Sequence, residues 1–191
     1  NGVSLLFEAS VGGGIPVLHP LSQCLGANEI LEVRGILNGT TNFILTQMLE
    51  FGQSYDAALK DAQSRGYAEQ NPAADVDGID AGRKICILAA LSFGQHVYPD
   101  QVPTEGIRGV TLGDVSYADS RGYKIKLLGR CLRLEGGRRT AYVAPHLISE
   151  ENPMSDVNDV FNAVVVRGNA TGEVMFYGKG AGELPTASAC V

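Results

Sequence analysis

The chain has 191 residues, of which 45% are hydrophobic and 19% charged, and its formal net charge is −6. That length suits one large domain or two small ones, and that composition buries a core. A net negative chain whose Lys and Arg are scattered argues against nucleic acid and anionic membrane as partners, because both select clustered cations.

The chain opens with VSLLFEAS (3–10), an apolar run that reads as a short strand entering the glycine loop Gly12-Gly13-Gly14. Val17, Leu18, Leu21 and Leu25 follow at helical spacing, with Pro16 and Pro20 early enough to be tolerated. EILEVRGIL (29–37) alternates and predicts a half-buried strand. Asn38 then offers an N-cap for a helix over GTTNFILTQMLEFG (39–52), and Ser54 caps a second helix ending at Gly66. So short a connection makes the two near-antiparallel neighbours. Thr40, Thr41 and Asn42 either satisfy backbone groups at the helix start or line a pocket, while Phe43 and Met48 read as core.

A long helix is predicted from about Val76 to Phe93, stopped by Gly94, and Thr111 caps another through Ser120. YKIKLLGRCLRLE (123–135) and RTAYVAPHLIS (139–149) read as a hairpin whose turn is GGRRT. DVFNAVVVRGNATGEVMFYG (159–178) reads as a second hairpin about Gly168-Asn169. The glycine-rich GKGAGELPTAS then leads into a helix start at Pro185. Helices followed by a run of strands predict an α+β fold, a mixed or antiparallel sheet with helices covering one face.

Cys24, Cys86, Cys131 and Cys190 lie far apart without a C-x-x-C pair, which reads as reduced thiols in a cytoplasmic protein. His19, His96 and His146 are too scattered to suggest a metal centre. The longest apolar run, ICILAAL, is too short to cross a bilayer, and the first residues lack the pattern of a signal peptide. Both ends look cut, so a longer protein is expected.

The chemistry concentrates in GYAEQNPAADVDGIDAGRK (66–84), where acidic residues and a lysine run directly into that apolar stretch. On one helix Asp77, Asp80 and Lys84 share a face, with Asp80 and Lys84 an i,i+4 pair. Two readings stand side by side. An exposed first helical turn would carry acidic residues to complement the helix dipole. A substrate site would use carboxylates to hold an ammonium and a lysine to polarise a carbonyl or move a proton. DVDGID echoes a calcium loop, but its glycine is misplaced and no closing glutamate follows.

The same stretch resembles the signature of homoserine dehydrogenases, G-Y-x-E followed by x-P-x-x-D-x-x-G-x-D-x-x-x-K, at every fixed position. FEASVGGGIPVL (7–18), GILNGTTNFILTQM (35–48) and VFNAVVVRGNATGEVMFYGKGAGELPTASA (160–189) resemble further segments of that family, in order along the chain. The resemblance implies oxidation of L-homoserine to L-aspartate 4-semialdehyde with NAD or NADP, and the reverse reaction in threonine, methionine and isoleucine synthesis. It covers the catalytic and dimerisation domain, residues 1–191. The G-x-G-x-x-G turn of a Rossmann nucleotide domain is missing, and that domain is expected upstream, together with a further family lysine.

Carried over by position, the resemblance makes Lys84 and Asp80 the catalytic pair. Glu69, Asp75 and Asp80 become substrate carboxylates. Gly66 becomes a backbone contact to substrate and cofactor, and Gly180 and Gly182 a loop meeting the cofactor. It also implies a monovalent cation, usually sodium, on the backbone carbonyls of Glu8, Val11, Gly13 and Ile15, and a homodimer formed through the sheet. A lysine is ordinarily too basic to trade protons at neutral pH, so Lys84 reads as a charged hydrogen-bond donor first and a proton shuttle second. A non-redox amino-acid-binding or dimerisation module of the same fold is the alternative. A dehydrogenase acting on a different semialdehyde is a third reading.

Overall fold

A computed structural model describes residues 2, 5 and 7–191. Its sheet has five strands: β1 (Ile30–Ile36), β2 (Tyr123–Arg133), β3 (Arg139–Ser149), β4 (Phe161–Gly168) and β5 (Gly172–Lys179). They lie in the order β3-β2-β1-β4-β5, and every neighbouring pair is antiparallel. The two hairpins predicted from alternation thus flank β1, which the chain lays down first. The α+β expectation holds, with the sheet antiparallel throughout.

The helices are α1 (Gly39–Phe51), α2 (Tyr55–Ser64), α3 (Ala73–Val76), α4 (Ile79–Phe93), α5 (Leu112–Asp119) and α6 (Glu183–Cys190). Asn38 caps α1 by accepting from Thr41 N at 2.9 Å, and Gly52 ends it in the left-handed conformation at φ 61°. Thr111 and Asp114 form a reciprocal capping box on α5. α4 lies over β1, β2 and β3, while α1 covers β2 and β4 and packs on α2. The main core forms on that face from Val33, Leu127, Cys131, Val164 and Val166 beneath Phe43, Ile44, Met48, Ile85 and Leu88. On the opposite face Met154 and Val157 cover Ile36, Leu128, Ala163 and Val165.

That second face also carries a buried ion-pair group. Glu32 is only 3% exposed and accepts from Arg130 Nε at 2.6 Å and Arg167 Nη2 at 3.1 Å, with Arg34 Nη1 at 3.6 Å. Burial alone would raise its carboxyl pKa, but hydrogen bonds and charges from these arginines outweigh that and hold it below its ordinary value.

Three expectations need correction. The strand over 3–10 is not found: Glu8–Ser10 is a turn of 3-10 helix, and residues 3, 4 and 6 lie outside the described residues. The helix after Val17 becomes a π-helix over Pro20–Cys24, closed by Leu25 N donating to Pro20 O at 2.9 Å. Its start is held by Glu8, whose carboxylate accepts from the N–H groups of Val17, Leu18 and His19 at 2.6–2.7 Å. Proline cannot donate to the preceding turn, so a side-chain cap and a widened turn satisfy the segment instead.

The third correction bears on the site. The helix predicted from about Val76 begins instead at Ile79, as α4; Val76 ends the single turn α3, which lies mostly in the stretch read as a loop, and Asp77-Gly78 separates the two, with Gly78 at φ 78°. Ile107 N donates to Val76 O at 2.8 Å, taking the carbonyl that a continuous helix would have bonded four residues on. A Cβ on Gly106 would overlap that same carbonyl, so the inserted strand of chain fits only as glycine. Asp77 consequently leaves the shared face and pairs with Arg108.

No helix among the described residues is long and apolar enough to cross a membrane. Cys86 and Cys131 are buried, Cys24 and Cys190 exposed, and all four are free thiols.

Candidate active site

Lys84 and Asp80 project from the first turns of α4, where the helix emerges from the core. Lys84 Nζ donates to Asp80 Oδ2 at 2.7 Å and to the carbonyl of Leu37, just beyond β1, at 2.9 Å. An ammonium has three protons, so one remains for a ligand. The two side chains are 20% and 30% exposed, which excludes both a solvated surface pair and a sealed ion pair.

Asn38 ties this pair to Asp75 on α3. Its Nδ2 donates to Asp75 Oδ1 at 2.7 Å and to Asp80 Oδ2 at 3.0 Å, while its Oδ1 accepts from Thr41 N and Thr41 Oγ1. One buried amide thus starts α1 and orients two carboxylates. Burial pushes the Asp75 carboxyl above its ordinary range; the Asn38 hydrogen bond and Lys84 oppose this, while Asp80 and Glu69 add to it. Asp80 Oδ1 and Asp75 Oδ2 receive no donor among the described residues.

Gly66 and Glu69 form the exposed rim between α2 and α3. Gly66 turns the chain at φ 75° with open space where a Cβ would be. Thr40 Oγ1 fixes this rim to the start of α1 by donating to Tyr67 O at 2.6 Å, and Tyr67 packs edge-on against Phe43 at 5.1 Å. Of the Thr40, Thr41 and Asn42 alternatives, the backbone role is therefore the one observed. Asn42 Nδ2 donates to the carbonyls of Val157, Asp159 and Phe161.

The second glycine region arrives at the same end of the sheet. Ile36 pairs with Ala163, and Asn162 pairs with Gly178, so the Leu37 carbonyl and the loop through Gly180 and Gly182 lie two strands apart. The loop of Val11, Gly13 and Ile15 docks beneath: Gly14 N donates to Lys179 O at 3.1 Å, and a Cβ on Gly13 would overlap Gly180 O. The loop near the start of the chain and the one after β5 are thus in direct contact.

The carbonyls of Val11, Gly13 and Ile15 accept no backbone N–H among the described residues. Glu8 O accepts only a long 3.5 Å bond from Val11 N. The Glu8 carboxylate is fully engaged in capping, and the described residues hold no cluster of His, Cys, Asp and Glu fit for a metal.

A groove of about 920 Å³ lies elsewhere, between Phe7, Leu18, Ser22 and the end of α6, and contains none of the Lys84 cluster.

Two features escaped sequence reasoning. Asn38 is recognisable as a cap, but nothing local reveals that its other edge bridges Asp75 and Asp80. Lys126 is 1% exposed and donates to Val157 O at 2.6 Å, Asn158 Oδ1 at 3.0 Å and Asn42 Oδ1 at 3.2 Å. Burial lowers its pKa to about 8. The adjacent Leu127 and Leu128, one on each face, were the available signal that this strand is covered on both sides.

The family model described as homoserine dehydrogenase matches residues 16–191. The chain belongs to the homoserine dehydrogenase family. It is 51% identical to a homoserine dehydrogenase of Synechocystis over all of this chain and 45% of that relative, and 46% identical to one of Bacillus subtilis over all of this chain and 44% of that relative. The crystal structure of a homoserine dehydrogenase from Thiobacillus denitrificans superposes with a TM-score of 0.93 at 48% identity, covering 96% of this chain and 42% of that one. A hyperthermophilic archaeal homoserine dehydrogenase in complex with NADPH superposes at 0.83 with 34% identity, covering 99% of this chain and 54% of that one. The chain therefore spans somewhat under half the length of the curated homoserine dehydrogenases it matches.

Proposed function

We propose that residues 1–191 form the catalytic and dimerisation domain of a cytoplasmic homoserine dehydrogenase, working with a Rossmann nucleotide domain carried elsewhere in the protein. The reaction is the interconversion of L-homoserine and L-aspartate 4-semialdehyde with NAD or NADP, a step toward threonine, methionine and isoleucine. The observation that carries this reading is the Lys84 ammonium, held between Asp80 and Leu37 O with one proton spare at a half-open mouth.

Lys84 is placed to donate to the oxygen on the reacting carbon, stabilising alkoxide character in the direction of reduction. Asp80 holds the ammonium in place. The unpaired oxygens Asp80 Oδ1 and Asp75 Oδ2, with Glu69 at the rim, supply negative charge for the substrate ammonium. A nicotinamide, when bound, would supply or receive the hydride. Gly66, Gly180 and Gly182 are where the backbone can come close to such a cofactor. A sodium ion on the carbonyls of Glu8, Val11, Gly13 and Ile15 would brace the loop beneath Gly180.

The homodimer is assigned to the sheet face carrying Glu32, Arg34, Arg130 and Arg167, which helices leave uncovered. The test is homoserine oxidation by the full-length gene product, followed by nucleotide absorbance with NAD and NADP, alongside sedimentation. Reduction of nucleotide dependent on homoserine, in a dimer, is expected. Turnover of a different amino alcohol with none of homoserine would reject the substrate assignment.

A further inference from the structure

Asn162 in β4 is 1% exposed, and its Oδ1 has no donor among the described residues. Buried acceptors are nearly always paired, and one that is not asks for a reason beyond packing. Its neighbour Asn42, equally buried, uses both ends of its amide.

Asn162 lies between the two halves of the site. Toward α1, a Cβ on Gly39 would come 3.5 Å from Asn162 Oδ1. Toward the glycine loop, a Cβ on Gly180 would overlap Cγ, Nδ2 and Oδ1 of Asn162 together. The backbone of Gly180 does not itself demand glycine, because its φ is not positive, unlike Gly13 at 55° and Gly182 at 120°. The need for glycine at 180 therefore comes from Asn162. Gly13 in turn fits against Gly180 O, so an amide, a peptide and a second glycine stack in layers.

We propose that Asn162 is a positioning residue: its amide is the floor that sets the height of the Gly180–Gly182 loop above the Lys84 end of the sheet. The proposal rests on the reading that this loop meets the cofactor while Lys84 meets the substrate. A planar amide lets a peptide lie close, and its acceptor edge is available to an N–H donor.

The experiment uses the full-length protein with Gly180→Ala, Asn162→Ser and the double variant. Gly180→Ala should lose about 100-fold in kcat/KM, the scale of an ångström-sized misplacement. Asn162→Ser should lose about tenfold in kcat with homoserine KM within about twofold. The double variant should recover about tenfold or more over Gly180→Ala, because the added methyl then has room; this non-additivity reports the contact between the two residues, and the kcat loss at nearly unchanged KM in Asn162→Ser is what a merely structural asparagine would not produce. Full activity in Gly180→Ala, or a double variant no better than Gly180→Ala, overturns the proposal. If Asn162→Ser does not fold, Asn162→Ala replaces it. If neither folds, Gly180→Ala alone decides, activity within about twofold of wild type overturning the proposal and loss of activity at unchanged Tm supporting it. A wild type inactive on homoserine overturns the reading of the site and the role of Asn162 with it. An active wild type matched by all variants overturns the role of Asn162 alone.

Discussion

Lys84 Nζ lies 2.7 Å from Asp80 Oδ2, one helical turn back on α4, and the same nitrogen reaches Leu37 O at the end of β1. That ion pair is both a junction between helix and sheet and the charged centre of the proposed site.

Replacing Lys84 with Ala in the full-length enzyme should lower kcat by about 100-fold or more, the range for a positioned acid or base, with homoserine KM within a few-fold. Steady-state kinetics in both directions checks this. Survival of kcat within a few-fold would remove Lys84 from the chemistry.

Asn38→Ala should cost about 1 kcal/mol through loss of the α1 cap, read as a lower Tm. Activity should fall further than stability explains, because Asp75 and Asp80 lose their common donor. Asn38→Ser, which can cap but cannot bridge, should restore most of the Tm and little of the activity.

Asp75 and Glu32 should respond to acid in opposite ways. Folding raises the Asp75 pKa, so the ionised group costs stability above that pKa, and the cost shrinks as pH falls below it toward the ordinary carboxylate value, where it is gone. Asp75→Asn should therefore raise Tm at neutral pH, by less as the solution is acidified. Folding lowers the Glu32 pKa, so its contribution is full above the unfolded value and lost as pH falls through the folded one. Glu32→Gln should lower Tm at neutral pH and converge on wild type in acid. Thermal melts from neutral to acidic pH read both.

Lys126 gives an alkaline counterpart. Its folded pKa of about 8 lies below that of an unfolded lysine, so the cost of burying its charge is present below about pH 8 and is relieved as pH rises toward the unfolded value. Lys126→Met removes the donor that pins Val157 and Asn158 to β2 and should lower Tm at pH 7. Wild type should gain on this variant between about pH 8 and 10, which denaturant melts across that range would register. A constant difference would contradict the buried-charge account.

The sequence by itself determined the elements and their ends. Alternation marked β1 to β5, and Asn38, Ser54, Thr111, Gly52 and Gly94 closed helices where local hydrogen bonding and left-handed glycine conformations require. The i,i+4 contact of Asp80 and Lys84 was likewise local, and the 66–84 pattern carried the family. Tertiary structure decided what depends on groups distant in the chain. Ile107 parted α3 from α4 at Gly78, Asn38 found Asp75, Gly180 came to rest on Asn162, and Lys126 found three oxygens instead of solvent. Periodicity and caps report the nearest few residues, whereas buried polar partners are chosen by whichever strands and loops the packed sheet brings together.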